Sequence, residues 1–157
     1  MLPLHAPILE TLSWPDEAAC QAFAERLSRH PGITDALITL HGPLGAGKTT
    51  LVRHLLRALG VTGRVKSPTY AVLEPYELPG LAISHFDFYR FDDPREWEDA
   101  GFRELLGAPG LKLVEWAERA QGLMPAADLR VQIEIDDKGS RQVVLHALSP
   151  RGCELLR

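Results

Sequence analysis

The sequence predicts an α/β domain in which helices flank a mixed, largely parallel central sheet that ends in a C-terminal antiparallel hairpin. Three observations predict this class. A largely apolar run at residues 36–40 leads into a glycine-rich loop and then an amphipathic helix. Further strand-like runs alternate with helical segments, as in α/β proteins with parallel strands. The last two strand-like runs are separated only by a short turn at residues 137–139, which is typical of a hairpin.

The first predicted element is a helix that begins near Ser13. Ser13 can cap it, Asp16 fits the last position of a capping box, and a proline lies early between them. The helix is expected to run to about Arg29, where His30-Pro31-Gly32 ends it. Its apolar face would consist of Ala19, Phe23, Ala24 and Leu27.

The second and third elements are the strand at residues 36–40 and the helix that follows it. The strand is too hydrophobic on both faces for a sheet edge, which favours a central parallel strand. The helix is expected from Gly47 to Leu59, with Gly60 just beyond its end in the left-handed conformation that glycine adopts easily. Its predicted inward side chains are Leu51, Leu55, Leu56 and Leu59.

The loop between them, residues 42–49, matches the pattern G-x-x-x-x-G-K-[ST]. Such a loop turns its backbone N–H groups towards phosphate oxygens, and a lysine and the positive end of the following helix add favourable charge. Thr49 is placed to bind Mg²⁺. Pro43 has no N–H to donate, so the phosphate contacts should come from Gly45 to Thr50. The alternative, a glycine-rich turn with a solvated lysine, does not explain the flanking strand and helix.

This motif makes the predicted fold that of a single-domain P-loop NTPase and its ligand a nucleoside triphosphate. The predicted nucleotide-binding residues of the loop are Gly42, Gly45, Ala46, Gly47, Lys48, Thr49 and Thr50.

The middle of the chain is predicted to hold a hairpin followed by a helix. Residues 70–76 and 81–88 are strand-like, and Leu78-Pro79-Gly80 between them is a turn sequence. Asp93 followed by Pro94 opens a helix that should run to about Leu106.

The last third is predicted to contain three strands. Residues 111–114 form a short strand, and residues 115–119 turn into a brief helix. Residues 129–135 alternate between apolar and polar, and residues 142–148 return as their hairpin partner.

Two carboxylates follow predicted strands, at the sheet edge where ligands bind in this fold class. Asp87 closes the strand at residues 81–86, and Glu115 closes the strand at residues 111–114. Mg²⁺ bound to a triphosphate needs oxygen ligands beyond the Thr49 hydroxyl, and either carboxylate would supply them. The alternative for each is that it caps the next turn or pairs with a surface arginine. Thr69 lies in the loop before the strand-like run at residues 70–76. Its hydroxyl could sense the γ-phosphate, as the switch loops of nucleotide hydrolases do.

Composition indicates where the protein works. The 157 residues suffice for one domain spanning residues 1–157, and a hydrophobic share of 45% with a charged share of 24% is typical of soluble proteins. A net charge of −4 does not suit a basic nucleic-acid coat. Cys20 and Cys153 form no C-x-x-C pair, so a reducing cytoplasm is expected. The first 14 residues do not resemble a signal peptide, and no apolar run approaches the ~20 residues that cross a bilayer.

These segments together resemble the TsaE family (older name YjeE), which consists of small bacterial P-loop ATPases. The matching segments occur in family order and are GPLGAGKTTL at 42–51, VKSPTY at 65–70, EPY at 74–76, HFDFYR at 85–90, EDAGF at 98–102 and EWAER at 115–119. One departure is Pro43, where the family usually has aspartate.

The resemblance implies a role in the threonylcarbamoyl modification of the adenosine beside the anticodon in tRNAs that read codons beginning with A. The partners would be TsaB-like and TsaD-like proteins, with tRNA contacted indirectly through their complex and no membrane involved. ATP hydrolysis would reset that complex between turnovers. Carried over by motif, Lys48 would hold phosphates, Thr49 and Glu115 would bind Mg²⁺, and Asp87 would assist hydrolysis of ATP. Thr69 would belong to a switch-like segment.

Three other functions fit the same loop to different degrees. A small-molecule kinase usually carries an arginine-rich lid, and no arginine-dense insertion follows the loop. A GTPase usually recognises guanine through Asn-Lys-x-Asp, and the chain contains no asparagine. A nucleotide-dependent binding module without turnover stays open, since it differs only in whether phosphate is released.

Overall fold

A single seven-stranded sheet organises the computed structural model, which describes residues 8–66, 72–91, 93, 95, 101–120, 122 and 124–157. The strands are β1 (Ile8–Trp14), β2 (Leu37–His41), β3 (Leu73–Leu78), β4 (Leu81–Asp87), β5 (Leu111–Glu115), β6 (Leu129–Ile135) and β7 (Arg141–Ala147). The α-helices are α1 (Glu17–Ser28), α2 (Lys48–Leu59), α3 (Phe102–Gly107) and α4 (Pro150–Leu155). Two short 3-10 helices span Pro31–Asp35 and Ala117–Ala120.

The strand order is β1-β7-β6-β2-β5-β4-β3. The four inner strands from β6 to β4 pair in parallel, whereas β1 with β7, β7 with β6, and β3 with β4 pair antiparallel. This confirms the predicted α/β class, the largely parallel centre and the C-terminal antiparallel hairpin. All five residues of β2 are buried, as expected for a strand covered on both faces.

Each face of the sheet has its own hydrophobic core. On one face, leucines of α2 and apolar residues of α1 join inward residues of the inner strands. On the other face, an aromatic cluster formed by Phe86, Phe88, Phe91 and Phe102 packs with ring centroids 5.4–6.0 Å apart. The parallel strands are therefore held from both sides, which fixes the positions of their carboxyl ends. No helix in the described part of the chain is long and apolar enough to span a bilayer.

The first predicted helix start is wrong. Ser13 lies in strand β1 opposite Gln142, whose side-chain amide donates to the Ser13 hydroxyl at 3.1 Å. The helix cap is Asp16, which accepts from the backbone N–H of Ala19 at 3.0 Å. Pairing with β7 keeps Ser13 extended, so the cap falls three residues later. The helix ends at Ser28, close to the predicted Arg29.

Other predicted boundaries hold to within a few residues, with two further differences. The structure describes α3 as beginning at Phe102, and residues 94 and 96–100 of the predicted helix lie outside the described residues. Helix α4 was not predicted. It begins conventionally, with Ser149 as a cap accepting from the N–H of Gly152 and with Pro150 in its first turn.

At the edge opposite the carboxyl ends of the inner strands, Asp128, the residue before β6, connects β6 to the start of β2 and to α4. One of its carboxylate oxygens accepts from the backbone N–H of Leu37 at 2.8 Å, and the other accepts from the Ser149 hydroxyl at 2.6 Å. Asp128 thereby fixes the start of β2 and the cap of α4.

We expect Asp128→Ala to lower the free energy of unfolding by about 2–4 kcal/mol, because it leaves a part-buried N–H and a hydroxyl without their acceptor. Urea unfolding measures this directly. Asp137→Ala, in an exposed turn, is the control and should change stability little. Equal effects of the two substitutions would contradict the anchoring role of Asp128.

Candidate functional site

The glycine-rich loop (residues 42–49) lies where β2 ends and α2 begins, at the carboxyl edge of the parallel strands. A Cβ on Gly42 would lie 2.2 Å from the carbonyl oxygen of Ile133 in β6. Only glycine therefore allows the loop to approach the neighbouring strand so closely. Gly47, at φ +114°, is the residue from which α2 begins, and no side chain of the described residues caps that end of the helix.

A cavity of about 460 Å³ opens in front of this helix end. It is lined by Leu44, Gly45, Gly47, Lys48, Thr49, Thr50, Val72, Asp87, Tyr89, Arg90, Glu115, Trp116 and Arg141. The uncapped N–H groups of a helix carry partial positive charge, and Lys48 adds a full charge beside them. The cavity is thus suited to an anion with several oxygens.

The two strand-end carboxylates lie together, as predicted. Asp87 and Glu115 are direct partners in the parallel register of β4 and β5. Both line the same cavity, so they lie at the same edge of the sheet.

Glu115 is aimed at the first turn of α2. The Thr49 hydroxyl donates to its two carboxylate oxygens at 3.0 and 3.2 Å. One hydroxyl oxygen and one carboxylate converging beside an anion-binding helix end are a donor set that fits Mg²⁺, which takes one or two protein oxygens and completes its shell with water and phosphate. Among the described residues, Glu115 contacts Thr49 and His85, and it forms no ion pair with an arginine, which the sequence had left open.

Lys48 is almost fully buried, with 4% of its surface exposed. Its ammonium donates to the carbonyl of Gly42 at 2.5 Å and lies 3.7 Å from the centre of the Trp116 ring. Burial lowers the pKa of Lys48, and the carboxylates of Glu115, Glu118 and Asp87 oppose that shift. Trp116 has φ +59°, a conformation that is rare for residues other than glycine. The ring is thereby held over the lysine.

Asp87 has two roles that the structure allows together. Its carboxylate accepts from the backbone N–H of Tyr89 at 2.9 Å, so it caps the turn that follows β4, as the sequence left possible. It also lines the cavity. Burial raises the pKa of Asp87, with the nearby Glu115 charge adding to the shift and the Tyr89 N–H reducing it. A carboxylate with a raised pKa is a better proton acceptor than an exposed one.

Two side chains that contact predicted site residues were not themselves predicted from the sequence. Arg141, at the start of β7, donates to the carbonyl of Ala46 at 2.8 Å and to that of Gly45 at 3.5 Å. His85 in β4 lies with its Nε2 atom 2.6 Å from Glu115. His85 belongs to the HFDFYR segment, which could have drawn attention to it, whereas no local pattern marks Arg141.

Thr69, the predicted switch residue, lies outside the described residues. Val72, which follows that segment, lines the cavity, and its carbonyl accepts from the N–H of Asp87 at 2.9 Å. Val72, the first described residue after residue 66, therefore lies directly beside the site.

A second cavity, of about 180 Å³, also borders the glycine-rich loop, at Ala46 and Gly47. It shares Gly47, Thr50 and Arg141 with the first cavity. Its remaining lining residues are Trp14, Pro15, Asp16, Glu17, Cys20, Ala46 and Gly139. Burial raises the pKa of the Cys20 thiol to about 12, so the thiol itself is uncharged, whereas Asp16 and Glu17 bring carboxylates to the same cavity. The two cavities are neighbours around the first turn of α2.

Comparison with known proteins places this geometry in context. The family model described as "Threonylcarbamoyl adenosine biosynthesis protein TsaE" matches residues 14–143. The chain is similar to the tRNA threonylcarbamoyladenosine biosynthesis protein TsaE of Haemophilus influenzae, with 40% identity over 146 residues, covering 90% of this chain and 92% of the relative. The protein of the same name from Bacillus subtilis is 33% identical over 147 residues, covering 91% and 90%.

A solved structure shares the fold. A crystal structure of YdiB from Bacillus subtilis superposes with a TM-score of 0.78 at 25% identity, covering 97% of this chain and 94% of that one.

Proposed function

The chain belongs to the TsaE family of tRNA threonylcarbamoyladenosine biosynthesis proteins, and on this premise we propose that it is the ATPase of that pathway. It binds MgATP, hydrolyses it, and uses the hydrolysis to bind and reset a complex of TsaB-like and TsaD-like proteins in the cytoplasm. One observation carries the proposal: Lys48, Thr49, Asp87 and Glu115 line one cavity at the uncapped start of α2.

The two cavities support a full nucleotide rather than a free phosphate. Polyphosphate at the glycine-rich loop would be bound by the backbone N–H groups of residues 45–50 and by Lys48. The base and ribose would then continue past Thr50 into the second cavity, since the two spaces share Gly47, Thr50 and Arg141. Trp14 and Pro15 give that cavity an apolar wall for a base.

Thr49 and Glu115 are the residues that would hold Mg²⁺, which neutralises charge on the phosphates when it is bound. For hydrolysis, Asp87 would orient or deprotonate the attacking water, and its raised pKa suits that task. Lys48 would stabilise the charge that develops on the phosphate oxygens. Its present contacts with Gly42 and Trp116 keep the ammonium at the cavity until phosphate replaces them.

The mouth of the site favours a protein partner. Leu44, at the tip of the glycine-rich loop, is 65% exposed, and Tyr89 is 39% exposed. Exposed apolar side chains at the rim of a charged cavity are suited to being covered by another protein. We therefore expect slow hydrolysis by the protein alone and faster hydrolysis when the partner complex binds.

The decisive experiment is reconstitution of tRNA threonylcarbamoylation with every component except this one. Adding the protein with MgATP should restore repeated turnover. The rival functions are separated in the same system by following the γ-phosphate. A kinase would transfer it to an acceptor other than water, and a binding module would support modification without releasing phosphate.

Trp116 provides a direct measure of nucleotide binding. Because its ring lies against the Lys48 ammonium and 4.9 Å from the Tyr89 ring, moving that ammonium to phosphate should change its fluorescence. In a Trp14→Phe background, which removes the tryptophan of the proposed base cavity, we expect a saturable change on addition of MgATP that a further Trp116→Phe substitution abolishes. A response that persists without Trp116 would place the fluorescence change elsewhere.

A further inference from the structure

We propose that His85 is a positioning residue for the metal site, holding the Glu115 carboxylate in place by a hydrogen bond from its Nε2–H group. The inference rests on the proposed function, because it concerns Mg²⁺ bound with a nucleotide at Thr49 and Glu115. It adds a residue that neither the glycine-rich loop nor the strand-end carboxylates include.

The contact is short and enclosed. His85 Nε2 lies 2.6 Å from Glu115 Oε2, and the two side chains are 0% and 3% exposed. His85 projects from β4 and Glu115 from β5, which are adjacent parallel strands. Each of these strands is paired with a neighbour on both sides, which restrains its backbone. The position of the Glu115 carboxylate is thus set by fixed groups.

The other ring nitrogen gives the direction of this interaction. Among the described residues, His85 Nδ1 has no hydrogen-bond partner although it is buried. A proton on Nδ1 would leave a buried donor unpaired and would point the Nε2 lone pair at a carboxylate oxygen. The arrangement with the proton on Nε2 avoids both costs. A ring serving only to fill space would be better replaced by an apolar one, because burying an unpaired nitrogen is unfavourable.

The hydrogen bond becomes more important when a cation binds. The Thr49 hydroxyl now donates to both oxygens of Glu115. The Thr49 hydroxyl offers a lone pair to a bound ion and has only one O–H to donate, so it can hold one carboxylate oxygen well at a time. His85 contacts Oε2, the oxygen farther from Thr49, and so keeps that second oxygen in place when the ion binds. Its effect should therefore fall on Mg²⁺ affinity and spare the affinity for nucleotide without metal.

The test compares His85→Leu with His85→Gln by calorimetric titration of ADP, once with EDTA and once with excess Mg²⁺. Hydrogen-bond partners of metal ligands typically change metal affinity by 10–100-fold, so we expect the gain in ADP affinity due to Mg²⁺ to fall about 10-fold or more in His85→Leu. ADP affinity in EDTA should match that of the unmodified protein. His85→Gln retains a side-chain N–H of similar reach and should recover part of the Mg²⁺ gain.

Phe86→Leu is the control for lost packing. Phe86 is adjacent on the same strand and equally buried, but it belongs to the aromatic cluster on the opposite face. It should lower the thermal unfolding temperature and leave the Mg²⁺ gain unchanged.

Three results would overturn the role of His85. They are a full Mg²⁺ gain in His85→Leu, an equal loss of ADP affinity with and without Mg²⁺, or no difference between His85→Gln and His85→Leu. A different result would refute the proposed function itself, namely no ADP or MgADP binding by the unmodified protein. The two failures are therefore distinguishable.

Discussion

Replacing Lys48 with alanine is expected to reduce ATP hydrolysis by about 10³-fold, to background, and to weaken nucleotide binding severely. A charge-assisted hydrogen bond contributes roughly 1.5–3 kcal/mol to binding, and loss of one preorganised donor in the transition state costs about 10²–10³ in rate. Lys48 is the buried lysine of the cavity, and its ammonium contacts the glycine-rich loop at the carbonyl of Gly42. Phosphate release and the affinity for ATP, measured on the same preparation, test both effects.

The chain contains a closely matched control for this substitution. Lys112 is also buried, its ammonium donates to the carbonyl of Ala108 at 2.7 Å, and burial lowers its pKa as it does for Lys48. Lys112 lies at the start of β5, at the end of the strand away from the cavity, and close to Asp35 and Asp128. Lys112→Ala should lower stability and leave nucleotide binding intact. If Lys48→Ala hydrolyses ATP normally, or if both variants lose binding alike, the site assignment is refuted.

Replacing Asp87 with asparagine should separate binding from chemistry. The amide oxygen can still accept from the Tyr89 N–H, so the turn after β4 should persist and ATP affinity should be retained. The amide cannot take a proton from water, and loss of a general base typically costs about 10²–10⁴ in rate. Single-turnover hydrolysis of MgATP, with affinity measured in parallel, distinguishes the two steps.

Asp93→Asn is the matched control, because Asp93 makes the same kind of contact with the backbone N–H two residues later. It accepts from the N–H of Arg95 at 2.9 Å but does not line either cavity. We expect its hydrolysis to be normal. Wild-type hydrolysis by Asp87→Asn would remove Asp87 from the mechanism. Weak ATP binding by Asp87→Asn would instead show that Asp87 contributes to binding ATP before the chemical step.

The sequence was informative about the fold wherever a signal is local. The apolar run of β2, the motif of the glycine-rich loop and the turn of the last hairpin are each formed by residues that lie close together in the sequence. These elements were located correctly. Strand β1 was missed because its partner, β7, is more than a hundred residues away in the chain. When that partner is not known, the sequence from Ser13 to Asp16 fits a capping box at a helix start as well as it fits the end of a strand.

The same distinction applies to the site. Lys48 and Thr49 belong to a contiguous motif, and Asp87 and Glu115 could be placed at one sheet edge because parallel strands end together. Arg141 could not be found this way, since it reaches the loop across 95 residues of sequence. The second cavity depends on β1, α1 and the loop meeting, so it was invisible without the fold. The roles of all these residues, and of Thr69, stay predictions until the variants are measured.

The bond from Arg141 to the carbonyl of Ala46 has a consequence for how the protein is made. During translation, residues 42–49 leave the ribosome well before the final hairpin does, and domains generally complete their folding only after such late segments emerge. Until then the loop lacks the guanidinium that fixes two of its carbonyls. The nascent chain should therefore acquire affinity for nucleotide late in its synthesis, so an incomplete polypeptide would not sequester ATP.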